Sequence, residues 1–152
     1  MVNPELLSPC GLYCGVCGAY IATQKGSEAL KVGIAKVFGC APEEVNCQGC
    51  RSRVRYKHCQ NCAIRSCAEG RGYEGCYQCD QFPCGHIEAL GTLFPDTVAY
   101  KVMLRAVPAW RELGTEAWVA AEEARYSCPS CRQPLMRGAN RCHRCGQAVI
   151  FD

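Results

Sequence analysis

Residues 127–152 read SCPSCRQPLMRGANRCHRCGQAVIFD, in which two Cys-x-x-Cys pairs, Cys128/Cys131 and Cys142/Cys145, stand ten residues apart. Two residues between cysteines let both thiolates point at one ion from a tight turn. Four thiolates from two such knuckles give tetrahedral S4 coordination with no position left for water, which makes the site structural rather than catalytic. Turn residues Gly138 and Asn140 separate the knuckles, and the tail Ala148–Phe151 is β-prone. The spacing therefore predicts a β-hairpin zinc ribbon over 127–152, too small to fold without its ion. Rubredoxin-like iron would use similar spacing, and zinc is the favoured ion of the two.

The same chemistry extends upstream. Of 152 residues 16 are cysteine, and twelve of these form six Cys-x-x-Cys pairs, the other four being Cys14/Cys17, Cys47/Cys50, Cys59/Cys62 and Cys76/Cys79. Without cysteine the apolar share falls from 49% to about 38%, and aromatics make up only 9%. That core is thin for the length, and bound metal is the expected supplement. Disulfides are the alternative use of so many cysteines, but a disulfide framework has no reason to repeat a two-residue spacing. The N-terminal MVNPELLSPC offers neither a positive n-region nor an apolar h-region, so a reducing, cytoplasmic setting is expected. The uncharged stretch Leu6–Gln24 holds Pro9, three glycines and three cysteines, and reads as a metal-binding loop rather than a membrane span. A net charge of +3 counts thiols as neutral. Each four-thiolate zinc adds −2, so the basicity is weak evidence for an anionic partner.

Helical periodicity appears where cysteines thin out. SEALKVGIAKVF, residues 27–38, places Leu30, Ile34 and Val37 on one face, with Ser27 as N-cap and Gly39 as stop. Ile87, Leu90 and Phe94 predict a second helix ending at Pro95. Asp96 is the expected cap of a third, which Pro108 should close, and Trp110 and Trp118 anchor further helix packing. Between the first and second helices an internal repeat stands out: Cys59-x2-Cys62-x4-Cys67 recurs 17 residues on as Cys76-x2-Cys79-x4-Cys84. Two equivalent half-sites are the natural reading.

The blocks CGLYCGVCGAYIATQKG, NCQGCRS and CQNCAIRSCAEGRGYEGCYQCDQFPC resemble the signature of a prokaryotic family known only as domain of unknown function 3795. RELGTEAWVAAEEARYSCPSC resembles that family's frequent C-terminal extension. The resemblance implies a cysteine-rich, metal-binding cytoplasmic protein without an assigned activity. It places Cys10, Cys14, Cys17, Cys47, Cys50, Cys59, Cys62, Cys67, Cys76, Cys79 and Cys84 in the family pattern and leaves Cys40 outside as a free or packed thiol. Eleven thiolates do not divide by four. Either two S4 sites leave three spare, or a third site recruits His58, His86, Asp80 or Cys40.

Together these readings predict a small, metal-stabilised α+β chain. It comprises a Cys-rich metal-binding domain over 1–95, a helical connector over 96–126 and the ribbon over 127–152. The expected function is a zinc-binding module for a protein partner, with Zn2+ as cofactor. An iron–sulfur cluster at the N-terminal cysteines, serving redox or cofactor handling, is the alternative. Cys10-x3-Cys14-x2-Cys17 has the spacing of a radical-SAM cluster loop, but Val16 replaces the usual aromatic and no barrel pattern accompanies it. A second alternative is nucleic-acid binding through Arg51, Arg53, Arg55, Tyr56 and Lys57, against which stands a solvated loop offsetting anionic metal centres. No Gly-rich phosphate loop, nucleophile elbow or His-Glu helix motif is present, and no catalytic residue is assigned.

Overall fold

The computed structural model describes residues 1–152. It contains six α-helices: α1 Gly18–Lys25, α2 Glu28–Phe38, α3 Ala63–Gly70, α4 Gly85–Leu93, α5 Val98–Leu113 and α6 Thr115–Arg125. Short 3-10 turns carry much of the rest, including Cys14–Val16 and Cys76–Gln78, each opening a Cys-x-x-Cys knuckle.

There is no strand and no sheet, which overturns the expected α+β class and its β-hairpin ribbon. The chain is helical, and its last 25 or so residues are irregular. Only two isolated antiparallel bridges occur there, Ser127 with Pro134 and Arg141 with Ala148. The reason is local. Each knuckle closes its own short loop, through Cys128 N–H to Gln133 O and Cys142 N–H to Gln147 O. Pro134 has no N–H to extend a ladder, and each arm ends after one further bond, Leu135 to Tyr126 or Val149 to Asn140.

α2 follows its sequence signals. The Ser27 hydroxyl accepts from the Leu30 N–H, and Gly39 takes the left-handed conformation at φ 66° that ends the helix. α5 does not. Thr97, not Asp96, caps it through the Tyr100 N–H, and the helix runs through Pro108 to Leu113. Pro108 lies on the exposed side, where water can take up the Leu104 carbonyl it leaves free. On the opposite side Val107 and Trp110 are fully buried, and that packing outweighs the break. Gly114, at φ 77°, then separates α5 from α6. The stretch read as a metal-binding loop also holds the helix α1.

The main core joins the N-terminal segment (Leu6, Leu7, Tyr13) to α5 and α6. At its centre the rings of Trp110 and Trp118 stack at 4.1 Å and 6°. Tyr77 packs on Trp110 at 4.6 Å, which ties the Cys76 knuckle to the core. The carboxy-terminal segment docks on the same body. Arg137 donates from its backbone to Val16 O at 2.7 Å and from its side chain to Tyr13 O at 2.8 Å. Asp152 pairs with Arg125 at 3.2 Å and accepts from the Tyr126 hydroxyl. Under it the buried Glu122 carboxylate takes a two-pronged bond from Arg105 at 2.6 and 3.2 Å.

Candidate metal centre

The two C-terminal knuckles bring four sulfurs together. Those of Cys128, Cys131, Cys142 and Cys145 all lie within 4.8 Å of one another. Across the knuckles, Cys128 to Cys145 and Cys131 to Cys142 both measure 3.6 Å. A Zn–S bond of about 2.3 Å puts tetrahedral sulfurs about 3.8 Å apart, so the set fits one such ion. Cys128 and Cys142 are buried with Leu135 and Val149 in a small core of their own.

Backbone amides prepare the sulfurs for charge. The Cys145 N–H, reinforced by that of Arg144, outweighs desolvation and brings the Cys142 thiol down to about 6. The Cys131 N–H lowers Cys128 in the same way. Cys145 goes the other way: despite a bond from the Gln147 N–H, lost hydration and the three neighbouring sulfurs push it up to about 12. Four anions cannot share this space alone. A divalent cation removes the conflict, and the donor set suits a thiophilic one.

Upstream, no other set of three or more His, Cys, Asp or Glu ligand atoms meets that 4.8 Å spacing. The cysteines nevertheless gather. Cys14 is within electrostatic reach of Cys17 and Cys50, and Cys59 within reach of Cys17, Cys47, Cys50 and Cys62. Cys76 is within electrostatic reach of Cys84, Cys79, Cys67 and Cys62, and the buried Cys10 within reach of Cys50, Cys62 and Cys76. Burial first, and these like charges after it, push Cys10 and Cys76 up to about 12. Cys40 is half-buried, 3.8 Å from the Tyr56 hydroxyl. His58, His86 and His143 are all exposed.

The paired repeats are not alike in conformation. Between Cys62 and Cys67 the chain is the first turn of α3, whereas Pro83 keeps the Cys79–Cys84 segment out of helix.

Sequence reading missed Arg65. It is 5% exposed and has no carboxylate partner. Its guanidinium donates to Cys59 O at 2.8 Å and Gln60 O at 2.7 Å and reaches the Cys50 sulfur at 4.0 Å, while its backbone N–H points at the Cys62 sulfur. A buried cation calls for a nearby anion, and the groups Arg65 contacts that can become anionic are the Cys50 and Cys62 sulfurs. The signal was a lone arginine between cysteines in a short helix, which carries no pattern of its own.

The basic stretch is largely engaged by the protein itself. Arg51 donates to Leu7 O, Tyr73 O and Glu74 O, Arg55 to Ser52 O, and Lys57 pairs with Glu44 at 2.9 Å. Tyr56 is buried, with no free face on which to stack a base.

No helix is long and apolar enough to cross a membrane. No curated protein and no solved structure matches the chain. Residues 6–89 match the model of a family described as "Protein of unknown function (DUF3795)". That stretch includes twelve of the 16 cysteines and stops short of the C-terminal four.

Proposed function

The chain belongs to the family described as protein of unknown function DUF3795, and from that premise we propose a zinc-stabilised module that binds a protein partner rather than an enzyme. One observation carries the zinc reading: four sulfurs, from two knuckles, at separations that match a single tetrahedral ion. Such a site is closed, so its ion holds structure and offers substrate no coordination position. What it holds is the segment bearing Met136 and Arg137, which docks on the N-terminal turn.

That loop also forms one wall of an apolar cleft of about 690 Å3, completed by Leu30, Ile34, Val37 and Phe38 of α2 and Val98 of α5. Val37 is 79% exposed and Phe38 54%. Uncovered apolar side chains beside a metal-fixed loop support a partner with an apolar face of its own. The internal engagement of Arg51, Arg55, Tyr56 and Lys57 weighs against nucleic acid as that partner.

The test is cobalt substitution of the full chain with the N-terminal cysteines intact. A tetrathiolate spectrum that vanishes in part in Cys128→Ser/Cys142→Ser, and does not respond to azide or imidazole, is the expected result. A spectrum perturbed by those small ligands would show an open position and overturn the structural role. A photo-crosslinker at position 37 should trap one discrete protein in cells; no trapped protein would overturn the partner.

A further inference from the structure

The second arm of the repeat surrounds a space of its own. Cys67 from α3, Cys76 and Cys79 from the knuckle at Cys76–Gln78, and Cys84 at the N-cap of α4 all line one narrow cavity. About 20 Å3 of it is open to a water-sized sphere, which is room for about one such body. Its remaining walls include Ile64, Ala68 and Phe82, and no carboxylate lines it. Four thiols thus share one small, mostly apolar space, with Arg71, Tyr73 and His86 as its other polar lining residues. All four are free of disulfides and half-buried.

The walls are held from outside. Arg111 of α5 donates to Tyr77 O at 2.7 Å and to Cys79 O at 2.8 Å, which clamps the knuckle. Cys76 N–H bonds to Pro9 O at 2.8 Å. Gly75 lies so close to Trp110 that a Cβ there would stand 2.6 Å from its ring. The knuckle is thus pinned to the core independently of any ion. Arg71 and His86 also line the cavity and can offset negative charge inside it.

We propose that Cys67, Cys76, Cys79 and Cys84 form a second four-thiolate centre that takes a single zinc-class ion. Binding releases one proton from each thiol, M2+ replacing four H+, and leaves a centre of charge −2. No three of these sulfurs meet the 4.8 Å spacing of the C-terminal four, so loading the site requires the side chains to turn toward the cavity between staggered rotamers. The assignment takes one cysteine from the first repeat and three from the second. It therefore breaks the repeat across two sites instead of giving each copy its own. It shares the metal-binding reading of the module but uses none of the C-terminal ligands.

The test is residue-resolved alkylation with elemental analysis on the full chain purified without oxygen. In the wild type Cys67, Cys76, Cys79 and Cys84 should resist iodoacetamide as a unit and become reactive together on chelation. Cys79→Ser should expose the other three and remove one equivalent of zinc, while Cys128, Cys131, Cys142 and Cys145 stay protected. If Cys79→Ser fails to fold, Cys84→His decides. It should keep the zinc count and, with cobalt, shift the spectrum from four-sulfur to three-sulfur one-nitrogen coordination. Unchanged metal content in Cys79→Ser, an unshifted spectrum in Cys84→His, or acid-labile sulfide bound by these four would overturn the proposal. Loss of zinc from Cys128→Ser/Cys142→Ser with this set unaffected, or the reverse, separates failure here from failure of the C-terminal site.

Discussion

The C-terminal four cysteines and the twelve upstream solve the same problem in opposite ways. In 127–152 the ligands are close in sequence, and two short loops bring the sulfurs together almost unaided. The only core around them is Leu135 and Val149, with Cys128 and Cys142 as the remaining members. Upstream, cysteines from separate elements are placed by a packed body whose centre is the Trp110–Trp118 stack. In the first region four sulfurs take the place of a core; in the second a packed core exists and the cysteines are arranged around it.

The largest effect expected from this contrast is on the C-terminal segment. Structural zinc in small knuckles supplies on the order of 10 kcal/mol of folding free energy, and nothing else in 127–150 replaces it. Cys128→Ser/Cys142→Ser should abolish hydrogen-exchange protection of the Leu135 and Val149 amides and leave far-UV ellipticity nearly unchanged, because the segment holds no helix. A large loss of helix would show the two regions to be one folding unit.

Arg65 probes the upstream region. Replacing it with Met removes a buried cation from beside Cys50 and Cys62. If metal-bound sulfurs there are anionic, the loss is about 3–5 kcal/mol, as for a broken buried pair. Urea melts should show that loss in loaded protein and a much smaller one after chelation. Equal losses in both states would mean that the sulfurs are neutral thiols and Arg65 serves only the Cys59 and Gln60 carbonyls.

Arg137 is the joint between the regions. Its side chain bonds to Tyr13 O and lies 5.8 Å from the centre of the Tyr126 ring. Arg137→Ala should cost about 1–2 kcal/mol, seen as faster exchange in the docked segment with unaltered zinc content. The smallest effect is at Pro108: Ala there restores an N–H for the Leu104 carbonyl. It should stabilise α5 by about 1 kcal/mol or more, by thermal melt.

The same contrast governs what the sequence disclosed. The clustering of the C-terminal four cysteines was legible because its signal is local, two spacings and a turn, and α2 was legible for the same reason in Ser27 and Gly39. The ribbon's strands were misjudged because Ala148–Phe151 has β propensity but only one bridge to spend it on. α5 was cut short at Pro108 because the penalty is written in the sequence and the burial that overrides it, at Val107 and Trp110, is not. The upstream division of cysteines depends on which elements α5 and α3 bring together, across separations that no spacing reports. Arg65 shows this most plainly, since its meaning lies in having sulfurs rather than a carboxylate as its partners.

Cadmium-113 NMR of the cadmium-substituted full chain tests the central claim most directly. The account predicts a resonance in the four-thiolate range that disappears in Cys142→Ser while the others hold their positions. A wild-type spectrum without any four-thiolate resonance, or one that Cys142→Ser leaves intact, would contradict it.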